Sequence, residues 1–334
     1  MDTFAFLVHP VNLKHVTGYW RPLRLFPDFL IKEFLKFCPP FTVSKINKIN
    51  SSGQKELFGY FLGLPLLPEQ MVSLPEDMVL KKIIRAGKLA EKLKAGIFGL
   101  GGYTSVVADK GITVSKNLAI SVTTGSAMTA WSVCEAVNSA MSKSGIDPRN
   151  STLAIIGATG AIGSLCARKL AGVFQKIVIT ARHMDKLLRL KEEIERPGKA
   201  SVVIEQNVHK AALGAQVIVT TTSTPEALID VNELQAGSIV CDVSIPKNVI
   251  GRVEASKGVT LIEGGLIQLP FDVDFGVDTG LSKNVIFACT AEAMLLTLEK
   301  KFKNFSIGDN IEVSKVDEIG KIAQKYGFRV QGRF

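Results

Sequence analysis

Disulfide frameworks, membrane spans and nucleic-acid modules are what this chain lacks. Its five cysteines are an odd number without metal-like pairing, which speaks for a reducing compartment. The longest uncharged stretch, Asn117 to Cys134, is broken by Thr, Ser and Gly. It reads as buried strand and helix rather than a span. Met1 to Pro10 lacks the basic start and long apolar core of a signal peptide, so a cytoplasmic protein is expected. No basic-aromatic module accompanies the net charge of +9. The charge is therefore a basic surface or a match for an acidic partner, and no nucleic-acid partner is expected.

What is present is apolar. Hydrophobic residues make up 46% of the 334, with 18 Phe and a mean hydropathy of +0.24, enough chain for two domains with real cores. From Ser151 onward short β-branched runs alternate with helical or turn segments: 152–156, 177–180, 201–205, 217–220, 239–243 and 259–262. Six such units predict an α/β fold with a doubly wound parallel, Rossmann-like domain. The expected layout is an N-terminal α/β substrate or carrier domain over 1–140, the dinucleotide domain over 141–280, and a C-terminal helical segment over 281–334 that packs back.

The first of these strands runs into Gly157-Ala158-Thr159-Gly160-Ala161-Ile162-Gly163 and then an Ala/Leu-rich helix. Strand, glycine turn and helix in that order put a pyrophosphate on a helix N-terminus, with Gly157, Thr159, Gly160, Ala161 and Ile162 against it. The spacing is looser than Gly-x-Gly-x-x-Gly and would also suit a plain glycine turn. An acid is missing where an NAD enzyme would hold the ribose diol: the second strand ends at Ala181-Arg182. An arginine there accommodates the 2′-phosphate of NADP, so NADPH is the expected cofactor. The fourth strand ends in Thr220, Thr221 and Thr222, and the sixth at Gly264-Gly265. Both belong to the carboxyl edge where the ribose and nicotinamide would lie.

Before Ser151 the pattern is less regular. Phe4 to Val8 reads as a strand, and Phe26 to Cys38 as an amphipathic helix. Its aromatic face suits core packing first, and lining for an acyl chain or a membrane-surface contact second. Two strands are expected around Ser51-Ser52-Gly53. Pro75 to Lys94 reads as a helix with Lys81, Lys82, Arg85, Lys88, Lys92 and Lys94 on a solvated face, or as a dock for an acidic carrier. Thr104 and Ser105 follow a glycine run, and Thr124-Gly125-Ser126 opens a helix. Small hydroxyl residues at such a start suit an anionic or carbonyl group, or an ordinary cap. Between Gly265 and Asn284 no regular pattern is visible, as in a lid or active-site loop.

Cys289 falls in the first turn of a helix opening near Phe287, where the helix dipole is expected to lower its thiol pKa. On spacing alone a lone cysteine in an apolar context is more often a core residue. Cys38, Cys134, Cys166 and Cys241 are weaker candidates.

Over about 96–328 the chain resembles the long-chain acyl-[acyl-carrier-protein] reductases that supply fatty aldehydes to bacterial alkane synthesis. The resemblance rests on Leu100-Gly101-Gly102-Tyr103-Thr104-Ser105, Thr123-Thr124-Gly125, the Gly157 to Gly163 turn, Ala181-Arg182, Pro246-Lys247-Asn248 and Gly264-Gly265. It continues through Phe287-Ala288-Cys289, Ala291-Glu292-Ala293 and Asn304-Phe305-Ser306. It implies that Cys289 accepts the acyl group and that NADPH reduces it. Thr104, Ser105, Thr124 and the helix N-terminus at Cys289 are candidate oxyanion donors. It also implies an acidic acyl carrier protein or coenzyme A thioester, an aldehyde-deformylating oxygenase as partner, at most peripheral membrane contact, and a Mg2+ requirement for which the sequence shows no ligand set. The alternatives are another two-domain NADP enzyme, resembling shikimate dehydrogenase or glutamyl-tRNA reductase, and a non-catalytic NADP-binding protein. A shikimate dehydrogenase would need a Lys–Asp pair that 121–129 lacks. A glutamyl-tRNA reductase would put its cysteine in the first domain, where Cys38 is the candidate.

Overall fold

A computed structural model describes residues 2–48, 57–196, 198, 200–224, 228–244, 247–251 and 258–331. The turn expected at Ser51-Ser52-Gly53, and Pro225 and Pro246, lie outside these residues. The chain is a two-domain α/β protein. One unit comprises Met1–Gly125 with Leu269–Asp309, the other Ser126–Gln268 with Asn310–Phe334. Among the described residues no helix is long and apolar enough to cross a membrane.

The first unit holds a mixed sheet in the order Val273–Asp274, Phe41–Lys48, Phe58–Gly63, Thr3–Val8, Ile97–Leu100, Ser121–Thr123. The last four strands run parallel, while Phe41–Lys48 and Val273–Asp274 pair antiparallel at the edge. Alternation along Thr3–Val8 sends Ala5 and Leu7 to one face. There they form a core with Val79, Ile83, Ala86 and Ala90 of the helix Glu76–Lys92. The helix Ala288–Leu298 covers Gly99, where a Cβ would stand 2.3 Å from the Phe6 ring and 3.3 Å from Ala293.

Three expectations change here. The aromatic face of the helix Asp28–Phe37 is not core: the helix buries Ile31 and Leu35 and leaves Phe29, Phe34 and Phe37 exposed. Lys82 does not belong to the solvated basic face. It is 5% exposed, and its ammonium donates to the carbonyls of Leu35, Lys36 and Pro65. Burial lowers its pKa to about 8. The 265–284 stretch carries short strands, Leu266–Gln268 and Val273–Asp274, the latter extending the first unit's sheet. Pairings of two residues are too brief to leave a periodic pattern.

The second unit is built on an all-parallel Rossmann-like sheet in the order Thr260–Glu263, Ile239–Asp242, Val217–Thr220, Thr152–Ile156, Lys176–Thr180, Ser201–Ile204. These strands match the six apolar runs of the sequence; the four central ones are buried as parallel strands should be, while Ser201–Ile204 and Thr260–Glu263 at the edges are partly exposed. Strand order reverses between Thr152–Ile156 and Val217–Thr220, the crevice where open α/β sheets bind ligands. The helices Ser126–Ser144 and Val313–Lys325 meet so closely that a Cβ on Gly320 would stand 2.4 Å from the Trp131 indole nitrogen.

Candidate active site and dinucleotide site

The glycine turn is held by its own backbone. Gly157 takes φ +85°, and the N–H groups of Gly157 and Ala158 donate to Thr180 O at 2.9 and 3.1 Å. Gly163 lies in the first turn of the helix Ala161–Leu170, where a Cβ would stand 2.4 Å from Gly157 O. Gly160 caps that helix without a side-chain bond, and a Cβ on it would meet only Gly157 O, at 3.3 Å. The first-turn N–H groups of this helix have no helical carbonyl to reach. Half-buried Thr159, Gly160, Ala161 and Ile162 line the turn. These residues fit a dinucleotide pyrophosphate.

Thr221 buttresses this turn from the neighbouring strand. Its hydroxyl lies 3.1 Å from Ile156 O and 3.2 Å from Gly157 O, so its proton goes to the backbone. The Thr222 hydroxyl donates to Asn248 Oδ1. Gly264 donates its N–H to Asp242 O at 3.0 Å, and Gly265 takes φ +79°. Arg182 is exposed just after the second strand. Sequence reasoning missed Asp242, 2% exposed, whose carboxylate accepts the N–H groups of Ser244 and Asn248 at 2.9 and 3.0 Å and the Thr220 hydroxyl. An aspartate ending a buried strand was the available signal.

In the first unit, Cys289 sits in the first turn of Ala288–Leu298, whose cap Phe287 offers no side-chain bond. Gly125, at φ +75°, lies against it: a Cβ there would stand 2.2 Å from the Cys289 Cα. Only glycine permits both the backbone and the approach. The residue is partly exposed, but its thiol is buried, and that burial pushes its pKa up to about 11. Its own N–H and the Thr290 N–H and hydroxyl pull the other way, and Glu292 adds to the rise. This corrects the expectation of a lowered thiol: the dipole and its donors are present, but desolvation outweighs them.

The expected hydroxyl donors are committed elsewhere. Thr104 donates to Gly101 O at 2.8 Å, Ser105 to Gly102 O at 2.7 Å, and Thr124 to Ser306 O. What stands behind the cysteine is a buried polar cluster: Glu292 Oε1 accepts the hydroxyls of Thr123 and Ser306. A glutamate within an otherwise apolar helix, three residues after Cys289, was the signal. Glu292 is fully buried and fixes the strand end, the cysteine helix and the Ser306 loop to one another.

Cys38, Cys166 and Cys241 lie in settings that disfavour a thiolate. Burial pushes Cys241 up to about 12 and raises Cys38, and hydrogen bonding with Cys134 and burial raise Cys166. Among the described residues no group of three or more His, Cys, Asp or Glu is placed to hold a metal ion.

A parallel six-stranded sheet with a glycine turn at its switch point defines an NAD(P)-dependent dehydrogenase or reductase. In line with this, the family described as shikimate / quinate 5-dehydrogenase matches residues 138–263. The chain is 32% identical over 314 residues to a long-chain acyl-[acyl-carrier-protein] reductase of Synechococcus elongatus, covering 89% of each chain. It belongs to that family. It is also 27% identical over 356 residues to the aminotransferase PigE of Serratia sp., covering 98% of this chain and 39% of that protein. A glutamyl-tRNA reductase of Natronomonas pharaonis is 28% identical over 120 residues, 35% of this chain and 26% of that one.

Proposed function

We propose that this protein reduces long-chain acyl thioesters, carried on an acyl carrier protein or coenzyme A, to fatty aldehydes with NADPH. The observation that carries this reading is Cys289 itself: a cysteine in an uncapped first helical turn, pressed against Gly125 at the carboxyl edge of the first unit's parallel strands.

Cys289 begins as a thiol, since burial holds its proton. On losing that proton its sulfur attacks the thioester carbon; the new carbon–sulfur bond forms and the bond to the carrier thiol breaks. The departing thiolate takes up a proton, so the half-reaction is neutral. The donors that pull the thiol pKa down, the N–H groups of Cys289 and Thr290 and the Thr290 hydroxyl, stabilise negative charge at this point. A reduced nicotinamide, held through the turn from Gly157 to Ile162, would supply the hydride by which the acyl carbon becomes an aldehyde carbon. Cys289 then leaves that carbon as a thiolate and takes a proton from solvent, so the full reaction consumes one proton, and Glu292 with Thr123 and Ser306 keeps the cysteine helix in register throughout.

Arg182 supports NADPH as the donor, because an exposed guanidinium stands where a diol-binding acid would be in an NAD enzyme. The exposed cations Lys81, Arg85, Lys92 and Lys94 are the proposed contact for an acidic carrier.

The reading is tested by supplying hexadecanoyl carrier protein and NADPH and following aldehyde by chromatography. One aldehyde per NADPH oxidised, abolished by Cys289→Ser, is expected. Aldehyde formation at an undiminished rate by Cys289→Ser would overturn it.

A further inference from the structure

The exposed apolar side chains are concentrated in one place. Among the described residues, eight of the eighteen exposed large hydrophobics fall between Val11 and Phe37. Arg24 through Leu30 are exposed without a break, and four of those seven are Leu25, Phe26, Phe29 and Leu30. Leu25 is 86% exposed, Phe29 65% and Phe37 80%. Scattered exposed hydrophobics are ordinary, but a contiguous patch on one element marks a contact surface. At about 100 Å² for each of five such side chains the patch presents about 500 Å², the upper range for a monomer.

The segment has an inner face, and that face is fixed. Ile31 and Leu35 pack with Val16 and Leu67 in a small core of their own. Gln70 Nε2 donates to Lys32 O at 2.9 Å, and Lys82 closes the helix end through the carbonyls of Leu35 and Lys36. With that side held, helical spacing sends Leu30, Phe34 and Phe37 away from it. The helix Asp28–Phe37 has ten residues, about half of what a membrane span needs. It can lie along a bilayer but not cross one.

Charge selects the occupant. Residues 13–37 carry five cations, Lys14, Arg21, Arg24, Lys32 and Lys36, against Asp28 and Glu33. Glu33, the acid on the outward face, pairs with Lys36. Arg21 and Arg24 belong to the short turn Arg21–Leu25 that delivers Leu25 and Phe26. A second copy of this chain would set like charges against them. A protein partner would need a pocket for each protruding ring, whereas a fluid interface takes them as they stand. Aromatic and aliphatic side chains flanked by arginines are the pattern of a helix lying on anionic lipid.

We infer that residues 21–37 form a membrane-contact surface for anionic lipid. The helix Asp28–Phe37 lies in the interfacial plane, Leu25, Phe26, Phe29 and Phe37 enter the acyl boundary, and Arg21 and Arg24 meet lipid phosphates. The contact is separate from the chemistry at Cys289, so its test neither needs nor reports acylation.

The test is co-sedimentation of the full chain with vesicles of phosphatidylcholine, alone or mixed with phosphatidylglycerol. An arginine at an anionic surface contributes about fivefold to partitioning. Arg21→Gln with Arg24→Gln should therefore weaken binding to the mixed vesicles about 25-fold, and added salt should act in the same direction. Leu25→Ser, Phe29→Ser and Phe37→Ser together should weaken it at least a hundredfold. The melting temperature should hold, because these side chains are exposed. Leu188→Ser, an exposed hydrophobic of the second unit, should bind as the parent does. A second readout is Trp20, whose ring centroid lies 6.3 Å from that of Phe34: lipid brominated in its acyl chains should quench it and spare buried Trp131. Failure to bind the mixed vesicles, or equal binding by the parent and the triple serine variant, overturns the inference. A dimer or a carrier-protein complex that the triple variant loses, without vesicle binding by the parent, also overturns it and gives the face to that partner.

Discussion

Gly125 and Cys289 touch through their backbones: a Cβ on Gly125 would stand 2.2 Å from the Cys289 Cα and 2.3 Å from its Cβ. Gly125 also holds φ +75°, so alanine there is strained twice. Gly125→Ala should destabilise the first unit by about 2–3 kcal/mol or displace the cysteine helix. Acylation of Cys289 should fall at least a hundredfold, while NADPH affinity, set in the second unit, stays within twofold. Calorimetry and cofactor titration on one preparation check both; an alanine variant with unimpaired acylation would show that the contact has no bearing on reactivity.

The Cys289 thiol sits near pKa 11 because burial outweighs its donors. A raised folded pKa keeps the proton on below that value. Thiolate, and with it alkylation by iodoacetamide, should therefore rise about tenfold per pH unit from neutrality toward pH 11. A plateau near pH 7 in the labelling of the Cys289 peptide would mean that the thiol is activated in the resting protein.

Arg182 is exposed at the end of the second strand. A charge-assisted contact to phosphate contributes about 1.5–3 kcal/mol, roughly ten- to a hundredfold. Arg182→Glu should weaken NADPH by that factor and leave NADH nearly unchanged. Kd values from nicotinamide fluorescence decide it: equal losses for both cofactors would remove the 2′-phosphate assignment.

Much of this was legible in the chain. The six parallel strands are short β-branched runs, and the four central ones are buried on both sides, a pattern that needs no partner to be recognised. The glycine turn reads directly as strand, turn and helix, and the first-turn position of Cys289 follows from where the apolar helix opens. Other features depend on residues far apart in sequence. The Gly125–Cys289 contact and the cluster of Glu292 with Thr123 and Ser306 are tertiary pairings, invisible to local periodicity. The aromatic face of Asp28–Phe37 was legible as a face, but its outward direction was decided by the shorter Ile31 and Leu35 packing inward.

Lys82 separates the structural cation of its helix from the surface ones. Lys82→Met leaves the carbonyls of Leu35, Lys36 and Pro65 without their donor, and should cost about 1–3 kcal/mol of stability. Reversal of exposed Lys81, Arg85 and Lys92 should leave the melting temperature in place, raise KM for the carrier-bound substrate and flatten its salt dependence. Equal effects on a coenzyme A substrate would dismiss these cations as a carrier contact.

The acyl-enzyme is the central claim, and intact mass spectrometry after mixing hexadecanoyl carrier protein with the protein, NADPH withheld, tests it most directly. One hexadecanoyl mass should appear, map to the Cys289 peptide, persist in Cys38→Ser, and discharge as hexadecanal when NADPH is added. An adduct on Cys38, or aldehyde formation through no adduct at all, would contradict the account.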